Sequence, residues 1–177
     1  SNLHHVIINY SELDIKSYYN SDYAYPFGGI GYYSKRVITA GELVGEFYFR
    51  TKNSKKYLTG YKGNDENIVL PDNYWGESYD IGIRAFADQT NIFSVTIPNN
   101  VDNIEYHAFE NCSNLTKISI GDSVKDIKSF AFGGCDNLYN VTIGKSVQNI
   151  DKEAFKYCRK IRVIYNLSSL DLNKMDL

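Results

Sequence analysis

The sequence predicts an α/β repeat solenoid, mainly β, built from 23-residue units that each hold one short parallel strand and a short helical or 3₁₀ turn. Three observations lead there. Ala-Phe recurs at Ala85-Phe86, Ala108-Phe109, Ala131-Phe132 and Ala154-Phe155, each pair 23 residues after the last. Apolar residues keep that register: Ile81, Ile104, Ile127 and Ile150 ahead of the pair, Ile92, Leu115, Leu138 and Ile161 behind it, then Val95, Ile118, Val141 and Ile164. Within the units, Leu115-Thr-Lys-Ile118-Ser-Ile120 and Leu138-Tyr-Asn-Val141-Thr-Ile143 end in apolar/polar alternation, the period of a half-buried strand. A repeat of this length cannot bury its own apolar face and shares one core with its neighbours. Function is therefore sought on a surface rather than in a pocket.

Each slot of the unit has a physical role. Parallel strands lie ~4.8 Å apart, so four units from Ile81 plus one leading strand span only about 25 Å of axis. Ala before Phe marks a corner where backbones crowd and one ring fills the core, in a turn too brief for a full helix. Asn91, Asn114 and Asn137 stand just before the strands, where a side-chain amide can satisfy backbone groups orphaned at the corner; Lys160 takes that slot in the last unit. Cys112, Cys135 and Cys158 share one slot, with Gln89 in the first unit, and so read as a buried ladder of small side chains. Their spacing offers no zinc site.

Upstream, Ile68-Val-Leu70-Pro71 matches Val95-Thr-Ile97-Pro98, with a four-residue insertion before Ile81 that holds Trp75-Gly76. Phe47-Tyr-Phe49 and Tyr57-Leu-Thr59 flank the polar turn Lys52-Asn-Ser-Lys55 and read as a hairpin that caps the open end of the core. Downstream, Asn166 replaces the strand isoleucine and the array stops. The closing phrase Val163-Ile-Tyr-Asn166-Leu-Ser168-Ser-Leu170-Asp171-Leu172 is nearly repeated as Val6-Ile-Ile-Asn9-Tyr-Ser11-Glu-Leu13-Asp14-Ile15. The expected organisation is thus a terminal turn and cap of a preceding array over 1–39, a linker and capping hairpin over 40–67, and the repeat array with its own cap over 68–172. A strand at Val6–Ile8 that had lost its neighbour would offer an edge for self-association.

The net charge of −2 gives no basic stripe, so nucleic acid and anionic membranes are poor partners. No apolar run approaches the ~20 residues of a membrane-spanning helix. The sequence opens without an initiator Met or a charged-then-apolar leader, which points to a segment of a longer protein. His4, His5 and His107 form no metal or catalytic motif, and Gly28-Gly-Ile-Gly31 lacks the strand and helix of a phosphate loop. The acidic residues lack calcium-loop spacing, and the five Asn-x-Ser/Thr sequons mostly follow from the repeat code. The chain is read as non-enzymatic, with no cofactor.

Two surfaces are candidates for binding. The outward positions of the predicted sheet are Ser94, Thr96, Lys117, Ser119, Asn140, Thr142 and Tyr165, with Val163 beside them; a solubilising face would look similar. The second is the aromatic cluster Tyr18, Tyr19, Tyr23, Tyr25, Tyr32 and Tyr33, whose rings suit sugars or a protein hot spot but would equally cover a solenoid end.

The unit Ile-x-x-x-Ala-Phe-x-x-Cys-x-x-Leu-x-x-Ile-x-Ile resembles the BspA-like leucine-rich repeats, the class sometimes named for a treponemal protein. The likeness covers residues 68 to 165, and the array departs from it in having few units and Gln89 for the first Cys. The resemblance implies a right-handed horseshoe on a secreted or surface-anchored protein, commonly of anaerobic bacteria on host mucosa. It also implies adhesion to a host or bacterial surface protein or glycan, with no shared catalytic residues. A structural spacer, or a noncatalytic accessory module of a larger surface protein, is the alternative.

Overall fold

The computed structural model describes residues 41–172, so the expectations for 1–39, including the tyrosine cluster and the Val6–Ile8 edge, lie outside the described residues. Five strands carry the predicted alternation: β4 (Asn67–Val69), β6 (Ser94–Thr96), β8 (Lys117–Ser119), β10 (Asn140–Ile143) and β12 (Val163–Asn166). They pair in parallel in the order β12-β10-β8-β6-β4, the five strands that the repeat count predicts.

A second sheet accompanies the first, where the sequence predicts one strand for each unit. Its array strands are β5 (Tyr79–Ile81), β7 (Val101–Ile104), β9 (Asp126–Ile127) and β11 (Asn149–Ile150). Three more precede them: β1 (Glu42–Val44), β2 (Phe47–Lys52) and β3 (Lys55–Tyr61), giving the order β1-β2-β3-β5-β7-β9-β11. These array strands run only two to four residues and place polar pairs such as Asp102-Asn103 between the apolar ones, so period-two alternation never develops.

The predicted hairpin is β2–β3, closed by Asn53 (φ 49°) and Ser54 (φ 61°) in the doubly left-handed geometry of a tight two-residue turn. β3 joins the array through Tyr57↔Asp80 and Leu58↔Ile81 in parallel, while β2 and β1 turn back antiparallel. Phe49, Leu58 and Tyr61 are thereby buried at the open end of the core. The insertion before β5 is a second tight turn: Tyr74 and Glu77 exchange both backbone hydrogen bonds at 3.0 Å around Trp75 (φ 53°) and Gly76 (φ 81°).

The Ala-Phe segment is a turn, and no α-helix occurs among the described residues. The backbone explains why. Arg84, His107 and Phe130 are left-handed before the pair, and Asp88, Asn111, Gly134 and Tyr157 are left-handed after it, so a right-handed helix cannot propagate in either direction. Between these stops one tight turn forms, with Gln89 N donating to Phe86 O and Cys112 N to Phe109 O.

Coils are joined at this corner as firmly as in the sheets. Phe86 N donates to Ala108 O at 2.7 Å, Phe109 N to Ala131 O at 2.7 Å and Phe132 N to Ala154 O at 2.8 Å. The small alanine lets the next backbone approach that closely. The rings stack coil on coil: Phe86–Phe109 at 4.7 Å, Phe109–Phe132 at 5.3 Å and Phe132–Phe155 at 5.0 Å, with interplanar angles of 8–13°. Tyr61 and Phe47 of the hairpin continue the column.

The cysteine ladder is as predicted: Cys112, Cys135 and Cys158 are buried free thiols that donate to Phe86 O, Phe109 O and Phe132 O at 3.0–3.2 Å. The asparagine ladder holds at two of its three predicted positions, with Asn114 Nδ2 on Thr90 O and Asn137 Nδ2 on Ser113 O, whereas Asn91 Nδ2 is buried without a hydrogen-bond partner among the described residues, there being no equivalent turn ahead of the first unit. Lys160 extends it by donating to Asn137 Oδ1 at 2.7 Å. At the array's end Asn166 folds the chain over itself. Its Oδ1 accepts from Ser168 N and Oγ, and its Nδ2 donates to Leu170 O.

Phe109 sits fully buried in the middle of the ring column. Phe109→Ala is expected to cost about 3–5 kcal/mol, read by chemical denaturation, because a cavity opens between two rings held apart by their own coils. A loss under about 1 kcal/mol would show that the column is dispensable.

Candidate functional site

The register brings all seven sequence-chosen sheet positions onto one face. One row runs Asn67, Ser94, Lys117, Asn140, Val163, and the next runs Val69, Thr96, Ser119, Thr142, Tyr165. Asn67 and Val69 belong to it through the leading strand. Val69 is exposed at one end of its row and Tyr165, 57% exposed, at the other. The middle is hydroxyl-rich, and Ser94 Oγ donates to Asn67 Oδ1 at 2.6 Å.

A third row, which the strand periodicity of the sequence does not point to, lies just ahead of the strands. Thr116 N donates to Phe93 O, Tyr139 N to Thr116 O and Arg162 N to Tyr139 O, which aligns Phe93, Thr116, Tyr139 and Arg162 one per coil. Tyr139 is 50% exposed and Phe93 40%. The signal was available, since these residues share one slot at 23-residue spacing. It went unread because Phe93 and Tyr139 have the parity of core positions in an ideal strand.

The seven-stranded sheet carries a different chemistry. Asp80, Asn103, Asp126 and Asn149 occupy equivalent positions of successive strands, with Asn103 Nδ2 donating to Asp80 Oδ1 at 2.9 Å and Asn149 Nδ2 to Asp126 Oδ1 at 2.8 Å. Asp80 is fully buried and held by Lys55 at 2.5 Å. Burial opposes the Lys55 ammonium, yet the hydrogen bond and charge of Asp80 prevail and raise its pKa. Burial, then the neighbouring Asp80 charge, raise Glu105 above the usual carboxylate range, with Lys128 and Lys55 offsetting part of the effect.

At the Ala-Phe corner Glu110 binds Arg84 Nη1 at 2.5 Å and His107 Nδ1 at 3.0 Å, and the His107 ring stacks on Phe130. Burial would raise Glu110, but His107 and then Arg84 outweigh it and hold the carboxyl below its usual range. Among the described residues, no group of three or more His, Cys, Asp and Glu is placed to hold a metal ion. No helix there is long and apolar enough to cross a membrane. The geometry offers hydrogen-bonded ladders and exposed rings.

The sequence pattern of the BspA type leucine-rich repeat region matches residues 56–174 in six copies. The chain belongs to the BspA-type leucine-rich repeat family. Among solved structures, a leucine-rich repeat protein from Bacteroides capillosus is 25% identical, with a TM-score of 0.63 over 72% of this chain and 98% of its own. A leucine rich cell surface protein from Faecalibacterium prausnitzii is 26% identical, with a TM-score of 0.52 over 71% of this chain, which spans only 42% of that protein. The T. pallidum leucine-rich repeat protein TpLRR shares the fold at 21% identity and a TM-score of 0.56, over 73% of this chain and 83% of its own. No curated protein sequence matches the chain.

The two carboxylates of this BspA-type module give opposite pH signatures. A raised folded pKa means that Glu105 costs stability as pH rises from its unfolded pKa through its folded one. Glu105→Gln is therefore expected to raise the melting temperature at pH 7, with the gain vanishing near pH ~4. A depressed folded pKa means that Glu110 contributes stability above its unfolded pKa and loses it as pH falls through the folded value. Glu110→Gln is expected to lower the melting temperature at pH 7, and the deficit closes in acid. Melting curves from pH 3 to 8 that move both variants the same way would contradict these assignments.

Proposed function

We propose that the chain is a non-enzymatic, extracellular binding module of a bacterial surface protein, which adheres to a host or bacterial surface protein or glycan. One observation carries the reading: Phe93, Tyr139 and Tyr165 are all substantially exposed along the five-stranded sheet, gathered on one face, whereas the other exposed rings, Trp75, Tyr106 and Tyr157, are scattered over the inserted turn and the Ala-Phe corner. Aromatic residues supply much of the affinity at recognition surfaces. A spacer that touches nothing has no use for them and does better with polar outward slots. The likeness to a cell surface protein of Faecalibacterium prausnitzii supports the location, and the fold shared with the pneumococcal vaccine antigen PcpA is in keeping with it.

The test is solid-phase binding of the folded chain to mucin glycans and extracellular-matrix proteins, with a heat-unfolded sample as control. Saturable binding that disappears on unfolding, and weakens at least about tenfold in Tyr139→Ser/Tyr165→Ser, is expected. Absence of binding across the panel would favour the spacer.

A further inference from the structure

Two neighbouring slots lead into the five-stranded sheet as one stripe, Phe93-Thr116-Tyr139-Arg162 and Ser94-Lys117-Asn140-Val163, and across the pair successive coils present Phe93, Lys117, Tyr139 and Arg162. Ring and cation alternate. Parallel strands advance ~4.8 Å per coil, so Phe93 and Tyr139 lie about 10 Å apart, and Lys117 and Arg162 recur with the same period half a step out of phase. Among the described residues neither Lys117 nor Arg162 enters an ion pair. Arg162 has only Ile161 O, at 3.3 Å. Two further cations, Arg159 and Lys160, are exposed on the same corner of the last coil. The opposing carboxylates are Asp136, one coil earlier in the slot of Arg159, and Glu66, at the far end of the stripe. The positive character is therefore local, in a chain whose net charge is −2.

We infer that this stripe binds a linear acidic glycan in which uronate and neutral sugars alternate, laid along the solenoid axis. The inference rests on the adhesive reading above and names its ligand class. An extended sugar chain advances per residue by about one coil rise, so a neutral sugar falls on each ring and a carboxylate on each cation. Aromatic faces suit the apolar face of a sugar ring, and Ser94, Ser119 and Asn140 alongside supply hydroxyl and amide partners. An acidic peptide fits less well: extended peptides bind at sheet edges through backbone hydrogen bonds, whereas this stripe presents side chains from coils whose backbones are already paired.

Titration calorimetry of the full chain with a hyaluronan octasaccharide tests this, with a neutral dextran oligosaccharide and poly-glutamate as comparison ligands. The octasaccharide is expected to bind and dextran is not. Lys117→Ser/Arg162→Ser and Phe93→Ser/Tyr139→Ser should each weaken binding at least about tenfold, and only the first should flatten its salt dependence. All these side chains are exposed, so unchanged thermal melting verifies each variant. No hyaluronan binding, or poly-glutamate binding that is equally tight and indifferent to loss of the rings, overturns the inference. If hyaluronan fails while the mucin and matrix panel still binds, the adhesive reading survives; failure of both removes both.

Discussion

The structure depends on how closely one coil can lie on the next at the Ala-Phe corner. There the Phe N–H of each coil reaches the Ala carbonyl of its successor at 2.7–2.8 Å, and any larger side chain at the alanine would hold the backbones apart. That spacing in turn fixes the ring stack near 5 Å and lets each cysteine thiol meet a Phe carbonyl of the preceding coil. Close approach recurs at the other end of the strand. A side chain on Gly121 would collide with the Pro98 carbonyl, and one on Gly144 with the Gly121 carbonyl. Small residues where coils touch and large ones where they enclose space are two expressions of one constraint.

A solenoid solves coil-to-coil pairing but leaves its first coil with a bare face and unpaired strands. Here the leading hairpin covers the face and pairs the first array strand of the seven-stranded sheet, while β4 remains the edge of the other. β3 adds in parallel to β5, after which β2 and β1 reverse direction, so that the sheet closes in an antiparallel ribbon instead of a bare parallel edge. Its aromatics substitute for the missing repeat: Tyr61 meets Phe86 at the head of the column, and Phe49 packs between Tyr74 and Tyr79. Tyr74 reaches back to Glu42 of β1, so the inserted turn that carries Trp75 is tied to the hairpin. At the far end the side chain of Asn166 satisfies backbone groups of the closing turn.

What the sequence disclosed follows from this division. Slots that face the core or join coils are restricted by volume and hydrogen bonding, so Ala-Phe, Cys, Asn and the strand isoleucines stand out at fixed spacing and led directly to the repeat, the five-stranded sheet and the buried ladders. The second sheet was hidden because its strands are short and interrupted by polar pairs such as Asp102-Asn103. The absence of helix turns on left-handed φ values at residues as unlike as Arg84, His107 and Phe130, which no propensity scale would select. The seven sheet-face positions were found by parity. The row through Phe93 and Tyr139 was not, because the chain curls as it enters the strand and turns core-parity residues outward.

The two sheets differ in what they leave for a partner. On the seven-stranded sheet Asp80 pairs with Asn103 and Asp126 with Asn149, Asp80 is buried beneath Lys55, and Asn103 Oδ1, a ladder oxygen without a partner among the described residues, is itself buried away from a ligand. On the five-stranded sheet the backbone is equally satisfied, but Lys117, Tyr139 and Tyr165 project beyond it. Since neither packing nor coil spacing depends on those slots, their chemistry can vary from coil to coil without cost to the fold. Across two neighbouring slots the coils offer an alternation of ring and cation, with Phe93, Lys117, Tyr139 and Arg162 in turn. It is the kind of pattern that a ligand with its own two-unit period would select.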